Sequence, residues 1–384
     1  MKLLDDMKPH FDKGGKWEKY AALYEAIDTT LYSPGTVTSG SVHVRDSINH
    51  KRVMSIIMLA LLPCVMMAMW NSGYQANLTL AQMAGGKALT GLSNHTSIIA
   101  NLLKGAGLFL PVLIISLLTQ AVWVTVFASM RNKSIDAGFL ITAVLIALIM
   151  PPTVPLWQVV IATSFGVVIG REIFGGIGMN FLNPALVAWT FMYLAYPGAM
   201  TGEAVWTAVD GYTGATPLTM ALADGVPTLA NFGITWKSAF LGTIPGSMGE
   251  TSALACLIGA AILLISGIAN WRIIASILLG VVGMSSLLCM FNPAAMNPAW
   301  HLVLGGLAFG LVFLATDHSS CALTTPGQWI YGLMIGILVV VVRVFNPMMP
   351  ESVAMIILFG NVCAPLIDRV VVNAHIKKRK LRHV

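Results

Sequence analysis

The chain has 384 residues, of which 57% are hydrophobic and only 10% charged, and its mean hydropathy is +0.79. Soluble domains carry about a quarter charged residues, so this composition excludes them and describes a polytopic membrane protein. The net charge of +6 needs no nucleic acid to explain it, because the basic residues gather at the ends of the apolar runs.

The first 52 residues are polar and lack the apolar core of a signal peptide, so insertion through the first span without cleavage is expected. A span needs about 20 apolar residues. Ten runs approach that length, at 53–70, 106–130, 137–150, 156–172, 183–200, 253–270, 273–290, 302–316, 329–345 and 352–371. The third is short and ends at Pro151-Pro152, where a helix stops. With both termini cytoplasmic, 18 of the 22 Lys and Arg residues fall on the inner side, leaving Lys87, Lys104, Lys237 and Arg343 outside. That skew satisfies the positive-inside rule. The chain divides into a cytoplasmic segment 1–52, a first half 53–200, an outer loop 201–252, a second half 253–371 and a basic tail 372–384 suited to anionic lipid. "PTVPLWQVVIATSFG" from Pro152 is echoed by "PMMPESVAMIILFG" from Pro347, an offset of 195 residues. Two halves of five spans each are inverted with respect to one another, a plan that puts functional sites near the midplane.

Polar residues at span ends are functional candidates because hydrocarbon makes them costly. "FGGIGMNFLNPALVAW" brings Asn180, Asn183 and Pro184 to the start of the fifth span, where the asparagines either cap the helix or present a broken end to a ligand. "FNPAAMNPAWH" repeats the Asn-Pro pattern at Asn292 and Asn297. Glu172, Asp317 and Asp368 lie at cytoplasmic span ends, where carboxylate oxygens suit a hard cation such as Na⁺. Glu172 has Arg171 beside it and Asp368 has Arg369, so interfacial ion pairs are the competing reading; Asp317 has only His318.

The five cysteines, Cys64, Cys256, Cys289, Cys321 and Cys363, show no metal-ligand or C-x-x-C spacing, which leaves this chain no thiolate set for an iron-sulfur cluster. No phosphate-binding loop occurs, and "GGIGMN" follows no soluble strand, so no dinucleotide fold is present. The outer loop contains "DGYTGATPLT". Pro217 favours the first helical position and makes Thr216 the N-cap of a short helix "PLTMALA" ending at Asp224-Gly225, where a phosphate on the Thr216 hydroxyl is favoured. The bland reading is a capped turn in an exposed loop.

"DGYTGAT" resembles the flavinylation motif D-x-x-[S/T]-G-A-T, and Asp210, Thr213, Gly214, Ala215 and Thr216 fill it without a gap. Together with "ALYEAIDTTLYSPG", "HVRDSINHKR", "FGGIGMNFLNPAL", "IPGSMGE", "WHLVLGGLAFG" and "FNPMMPE", the whole chain resembles the B-subunit family of Na⁺-translocating NADH:quinone oxidoreductases (the NqrB/RnfD family). The resemblance implies an all-α fold like that of urea and ammonium channels, with about ten transmembrane helices in two inverted five-helix halves. It implies covalent FMN at Thr216, moved there from FAD by a flavin transferase on the outer face, and non-covalent riboflavin near Asn180 and Asn183. Quinone is the implied substrate, the remaining proteins of the complex are partners, and Glu25, Asp317 and Asp368 are implied in the path of Na⁺. The implied setting is the bacterial inner membrane, with electrons passing from NADH through flavins to quinone. The chain departs from the family at "LTQAVWVTVF", with Gln120, Ala121 and Val124 in the second span, at "ATDHSSCA" around Asp317, and at Pro217. Two alternatives remain open: an Rnf-type D-subunit serving ferredoxin and NAD⁺, and a passive urea- or ammonium-type channel, which leaves the flavinylation motif idle.

Overall fold

A computed structural model describes residues 50–85, 94–131, 138–292, 295–346 and 349–382, and within them every regular element is helical. Among the described residues, five helices are long and apolar enough to cross a membrane: α1 (His50–Met83), α2 (Ile98–Arg131), α11 (Trp271–Phe291), α14 (Thr325–Phe345) and α15 (Val353–Arg382). The other expected spans are shorter or broken. They are α3 (Gly138–Ile149), α4 (Leu156–Val167) running into a π-helical turn at Val168–Glu172, α5 (Pro184–Ala195) followed by α6 (Pro197–Met200), and α10 (Ala253–Ile265). The run at 302–316 is divided among α12 (Pro298–Val303), α13 (Leu307–Phe309) and a second π-helical turn at Gly310–Leu314. Three short helices, α7 (Pro217–Ala223), α8 (Pro227–Asn231) and α9 (Trp236–Leu241), occupy the loop between α6 and α10.

The long helices invert the soluble pattern. Along α2 the buried positions include Asn101, Gly105, Ser116 and Gln120, while Leu110, Ile114, Leu118 and Val122 face outward at four-residue spacing. In hydrocarbon the apolar stripe faces lipid, and polar groups turn to protein partners. Gln120, with its amide oriented to satisfy both partners, donates to the Phe139 carbonyl (3.0 Å) and accepts from the Ala143 N–H (2.9 Å), tying α2 to α3. Helix α3 is apolar and buried from Ile141 to Ile149, as a helix without a polar face must be.

Helix α1 runs well past the expected end near residue 70, because Asn71, Ser72, Gln75, Asn77 and Thr79 are buried and paired. Asn71 donates to the Ile244 carbonyl (2.9 Å), and Asn77 donates to Asn101 (2.8 Å). A local hydropathy reading stops where the polar residues begin. The chain does not, because partners distant in sequence complete the hydrogen bonds. Helix α15 likewise continues through most of the basic segment expected as a tail.

Helices α1 and α2 meet backbone to backbone. A Cβ on Gly105 would lie 1.6 Å from the Met69 carbonyl oxygen, and one on Gly73 would lie 1.9 Å from that of Asn101. Gly105→Leu is therefore expected to separate the pair at a cost of at least ~4 kcal/mol, read as loss of the monodisperse peak in detergent size-exclusion chromatography. Gly107→Leu, on the same helix with no atom within 4 Å of its would-be Cβ, should leave the peak intact.

Candidate functional site

Two polar sites interrupt the apolar interior. The first is a cavity of about 380 Å³ whose lining includes Thr142, Arg171, Asn180, Asn183, Phe313 and Asp317. Broken helices build it. Asn183 is extended (φ −77°, ψ 120°) and accepts from the Ala185 N–H (2.9 Å) to cap α5, with Pro184 in the first turn. Its amide nitrogen turns the other way and donates to Asp317 Oδ2 (3.3 Å). Cap and cavity wall are thus two ends of one carboxamide, so the two sequence readings of Asn183 are compatible. Asn180 donates to the Leu182 carbonyl (2.8 Å) and to Ser319 Oγ (3.2 Å). Asp317, in the turn after the second π-helical segment, also accepts from Ser319 Oγ (3.0 Å) and Ser320 Oγ (3.1 Å).

The other acidic candidates are held differently. Glu172 pairs with Arg171 Nε (2.9 Å) and with Arg131 Nη1 (3.0 Å), the first as expected from the sequence and the second from a residue 41 positions away. Asp368 turns to the start of α14 and not to Arg369. It accepts from the backbone of Leu323 (2.7 Å) and Thr324 (3.0 Å) and from the Thr324 hydroxyl. Glu25 lies outside the described residues.

The second site surrounds Thr216. Thr216 is extended (φ −68°, ψ 152°) and caps α7 by accepting from the Thr219 N–H (3.2 Å), with Pro217 in the first turn and Asp224 at the C-cap. The short helix has the limits that its proline and aspartate set. Gly214 packs against Tyr212, whose hydroxyl would lie 2.9 Å from a Cβ at that position. Asp210 and Thr213 are exposed, but Thr216 is only 2% exposed. In place of the open hydroxyl expected of a surface loop, its side chain lines a cavity of about 20 Å³ with Ser247, Glu250, Gly305, Gly306 and Glu351.

The chain is matched by the family model for the NQR2, RnfD, RnfE family over residues 37–377. It belongs to that family. Proteins named as the B-subunit of Na(+)-translocating NADH-quinone reductase are similar to it over 99% of its length. Those of Stutzerimonas stutzeri (strain A1501) and Ectopseudomonas mendocina (strain ymp) are 49% and 50% identical, with 98% of each covered. That of Chromohalobacter salexigens is 46% identical, with 95% covered.

In this member of the NQR2, RnfD, RnfE family, the pocket beside Thr216 contains charges that the sequence reading passed over. Arg343, placed there among the outer basic residues, is fully buried. Its guanidinium donates to the carbonyls of His301 (3.0 Å) and Leu304 (3.1 Å), while Nε has no hydrogen-bond partner. Gly305, at φ +70°, makes room: a Cβ there would lie 2.9 Å from Arg343 Nη2 and 3.5 Å from Glu351 Oε2. A Cβ on Gly306 would lie 2.5 Å from Glu250 Oε2. One signal was available in the sequence, namely a lone arginine in the last turn of an apolar span.

Burial, reinforced by the Glu351 carboxylate, pushes the Glu250 carboxyl from its ordinary 4.5 up to about 8. A raised pKa means that the folded chain holds the proton more tightly than the unfolded one. The stabilisation is complete below 4.5 and is lost as pH climbs through about 8. Thermal unfolding in detergent should therefore show the melting temperature falling between about pH 5 and pH 8, and Glu250→Gln should flatten that fall.

Proposed function

We propose that this chain is the B-type membrane subunit of a Na⁺-pumping NADH:quinone reductase, carrying FMN on Thr216 and passing electrons through flavins to quinone. The observation that carries the proposal is the complete D-x-x-T-G-A-T stretch, ending on a threonine set over a buried polar pocket. It occurs in a chain about half identical, end to end, to proteins of that name. The remaining proteins of the complex and a flavin transferase are the partners this reading requires. The membrane is the bacterial inner membrane, with both termini cytoplasmic and the basic end of α15 against anionic lipid.

The fold is read as ten spans in two inverted halves. In support, α1 and α10, which open the two halves, pack together with Cys64 Sγ 3.9 Å from Cys256 Sγ.

The central cavity fits riboflavin in size and chemistry. Its volume of about 380 Å³ falls in the range of small-molecule sites, roughly 300–1,000 Å³. Leu145, Ile177, Leu263 and Phe313 offer apolar walls for a planar ring system, and Asn180 and Asn183 offer amides for its polar edge. At Thr216 the small cavity has no room for a flavin, which would have to extend away from it. A phosphodiester there adds a negative charge beside two carboxyls. Burial favours the neutral form of both, and Arg343 lies beside them, so the residues present are compatible with that charge. When bound, the flavins supply one- and two-electron exchange; the chain's own residues hold, orient and shield them.

Mass spectrometry of the peptide containing Thr216, from cells with and without the transferase, should show an FMN-sized addition only when the transferase is present. An unmodified peptide in transferase-positive cells would defeat the covalent-flavin reading.

For the ion, we propose Asp317 and Asp368, with Glu25 from the N-terminal segment, as members of the Na⁺ path. Asp317 is the one whose carboxylate lines the central cavity. Na⁺-stimulated quinone reductase activity should fall at least tenfold in Asp317→Asn and in Asp368→Asn, on the scale expected when a carboxylate that meets the ion loses its charge, ~1.4 kcal/mol or more. Unchanged Na⁺ dependence in both variants would remove them from the path.

A further inference from the structure

The loop that carries Thr216 is not built like a solvated surface. From Gly225 to Gly249 its sequence contains one charged residue, Lys237, where a soluble chain carries about a quarter. Helices α7 to α9 and the turn after them bury Leu218, Leu229, Ala239 and Ile244 against Ala253, Met296 and Leu304, which seats the loop on α10 and α12. A second set of apolar side chains is left uncovered: Phe232, Trp236 and Leu241 are 64%, 43% and 39% exposed. Trp236 stacks on Phe240 with ring centroids 5.2 Å apart, and its Nε1 donates to the Ala299 carbonyl (3.1 Å). The indole is thus satisfied at its polar edge and apolar elsewhere, which suits a membrane interface. The first turn of α9 is closed as well. Thr235 Oγ1 accepts from the Ser238 N–H (3.2 Å) and Ser238 Oγ accepts from the Thr235 N–H (2.9 Å), a capping box that leaves fewer open donors to hydrate.

The uncovered patch continues a lipid face. Gly242 ends α9 at φ +92° and lies so close to α10 that a Cβ on it would stand 2.6 Å from Ser252 Cα, one residue before that helix begins. Helix α10 has no charged residue and exposes Leu254, Leu257, Ile258 and Ile265. Their helical spacing makes one outward stripe. Leu241, next to Gly242, and Trp236 extend that stripe beyond the start of α10.

We infer that α8, α9 and the turn between them form an interfacial anchor, in which Phe232, Trp236 and Leu241 enter the boundary between headgroups and acyl chains and Lys237 reaches lipid phosphate. In the topology proposed above this is the outer leaflet. The occupant is lipid and not a protein partner, because the patch is continuous with the outward stripe of α10 and its single charge, on a long flexible stem, suits a phosphate headgroup. Helix α7 shares the apolar core of α8 and α9, so the anchor fixes the height of its cap, Thr216, at the bilayer surface whatever that threonine carries.

The test reads where the loop sits. The full complex is prepared with a nitroxide on Phe232→Cys, on Leu241→Cys or, at an exposed charged position outside the patch, on Asp224→Cys. Each is placed in nanodiscs of phosphatidylethanolamine and phosphatidylglycerol, and the signal of the unsubstituted complex after the same labelling is subtracted. Collision with oxygen, which concentrates among acyl chains, is compared with collision with a water-soluble nickel chelate. The oxygen-to-nickel ratio at Phe232→Cys and Leu241→Cys should be severalfold above that at Asp224→Cys. A ratio equal to that at Asp224→Cys puts the patch in water and overturns the anchor. Shielding from both reagents means that another protein covers the patch, and overturns it too. Both probed side chains are exposed, so assembly should be retained; if one variant does not assemble, the other decides by the same ratio. None of these outcomes depends on modification of Thr216, which mass spectrometry reads separately.

Discussion

Hydrocarbon offers no partner to an open backbone N–H or C=O, and that constraint arranges the rest of this molecule. A helix can end inside the membrane only where protein completes its last bonds. Here helix starts, in the apolar segments and in the loop between α6 and α10 alike, are completed by side chains. Asn183 caps α5, Asn297 caps α12, Thr216 caps α7, Ser252 caps α10 and Thr324 caps α14. Each cap is worth about 1 kcal/mol in water. The first three are followed by proline, which costs no hydrogen bond in the first turn. Broken ends need polar company, so they collect, and the two places where they collect are the central cavity and the pocket beneath Thr216.

Buried charge is managed by the same rule, with a different solution at each site. Glu172 is held between two arginines, and Asp368 closes the start of α14. Both carboxylates thus have structural partners, arginines for Glu172 and backbone N–H groups for Asp368. Asp317 is held more lightly, by hydroxyls and one amide, all of them groups that a cation or a ligand can reorganise. The cluster of Arg343, Glu250 and Glu351 is a third case: its guanidinium donates to two backbone carbonyls, with the two acids beside it.

What the sequence could disclose follows from range. The apolar runs located the five long helices because burial in lipid is decided residue by residue, and Pro217 with Asp224 delimited α7 because a proline and a cap act locally. The polar half of α1 was not legible, since Asn71 is acceptable there only because Ile244 and Thr251 receive its amide from more than 170 residues away. The π-helical turns at Val168–Glu172 and Gly310–Leu314 leave no local signature, yet they flank the cavity. Asn180, Asn183 and Asp317 were each suspected singly from depth and residue type. That they form one site is a tertiary fact, and so is the placing of Glu351 and Thr216 in one pocket.

The two sites are also joined by one rigid element. Gly138, Ile141, Thr142 and Leu145 of α3 face the central cavity, while the Leu148 and Met150 carbonyls beyond them accept from the N–H groups of Gly249 (2.7 Å) and Met248 (3.2 Å). The segment that carries Glu250 is thereby stitched to the far end of a helix that is buried on all sides. A Cβ on Gly249 would lie 2.5 Å from the Leu148 side chain, so this seam tolerates no slack. Twelve residues of α-helix span about 18 Å. The cavity and the pocket beside Thr216 are thereby held on one helix that is packed into the core. Electron transfer falls steeply with distance, so two carriers in one chain need such a spacer. The apolar uniformity of α3, which on its own reads as mere filling, is the feature that lets one buried helix reach both sites.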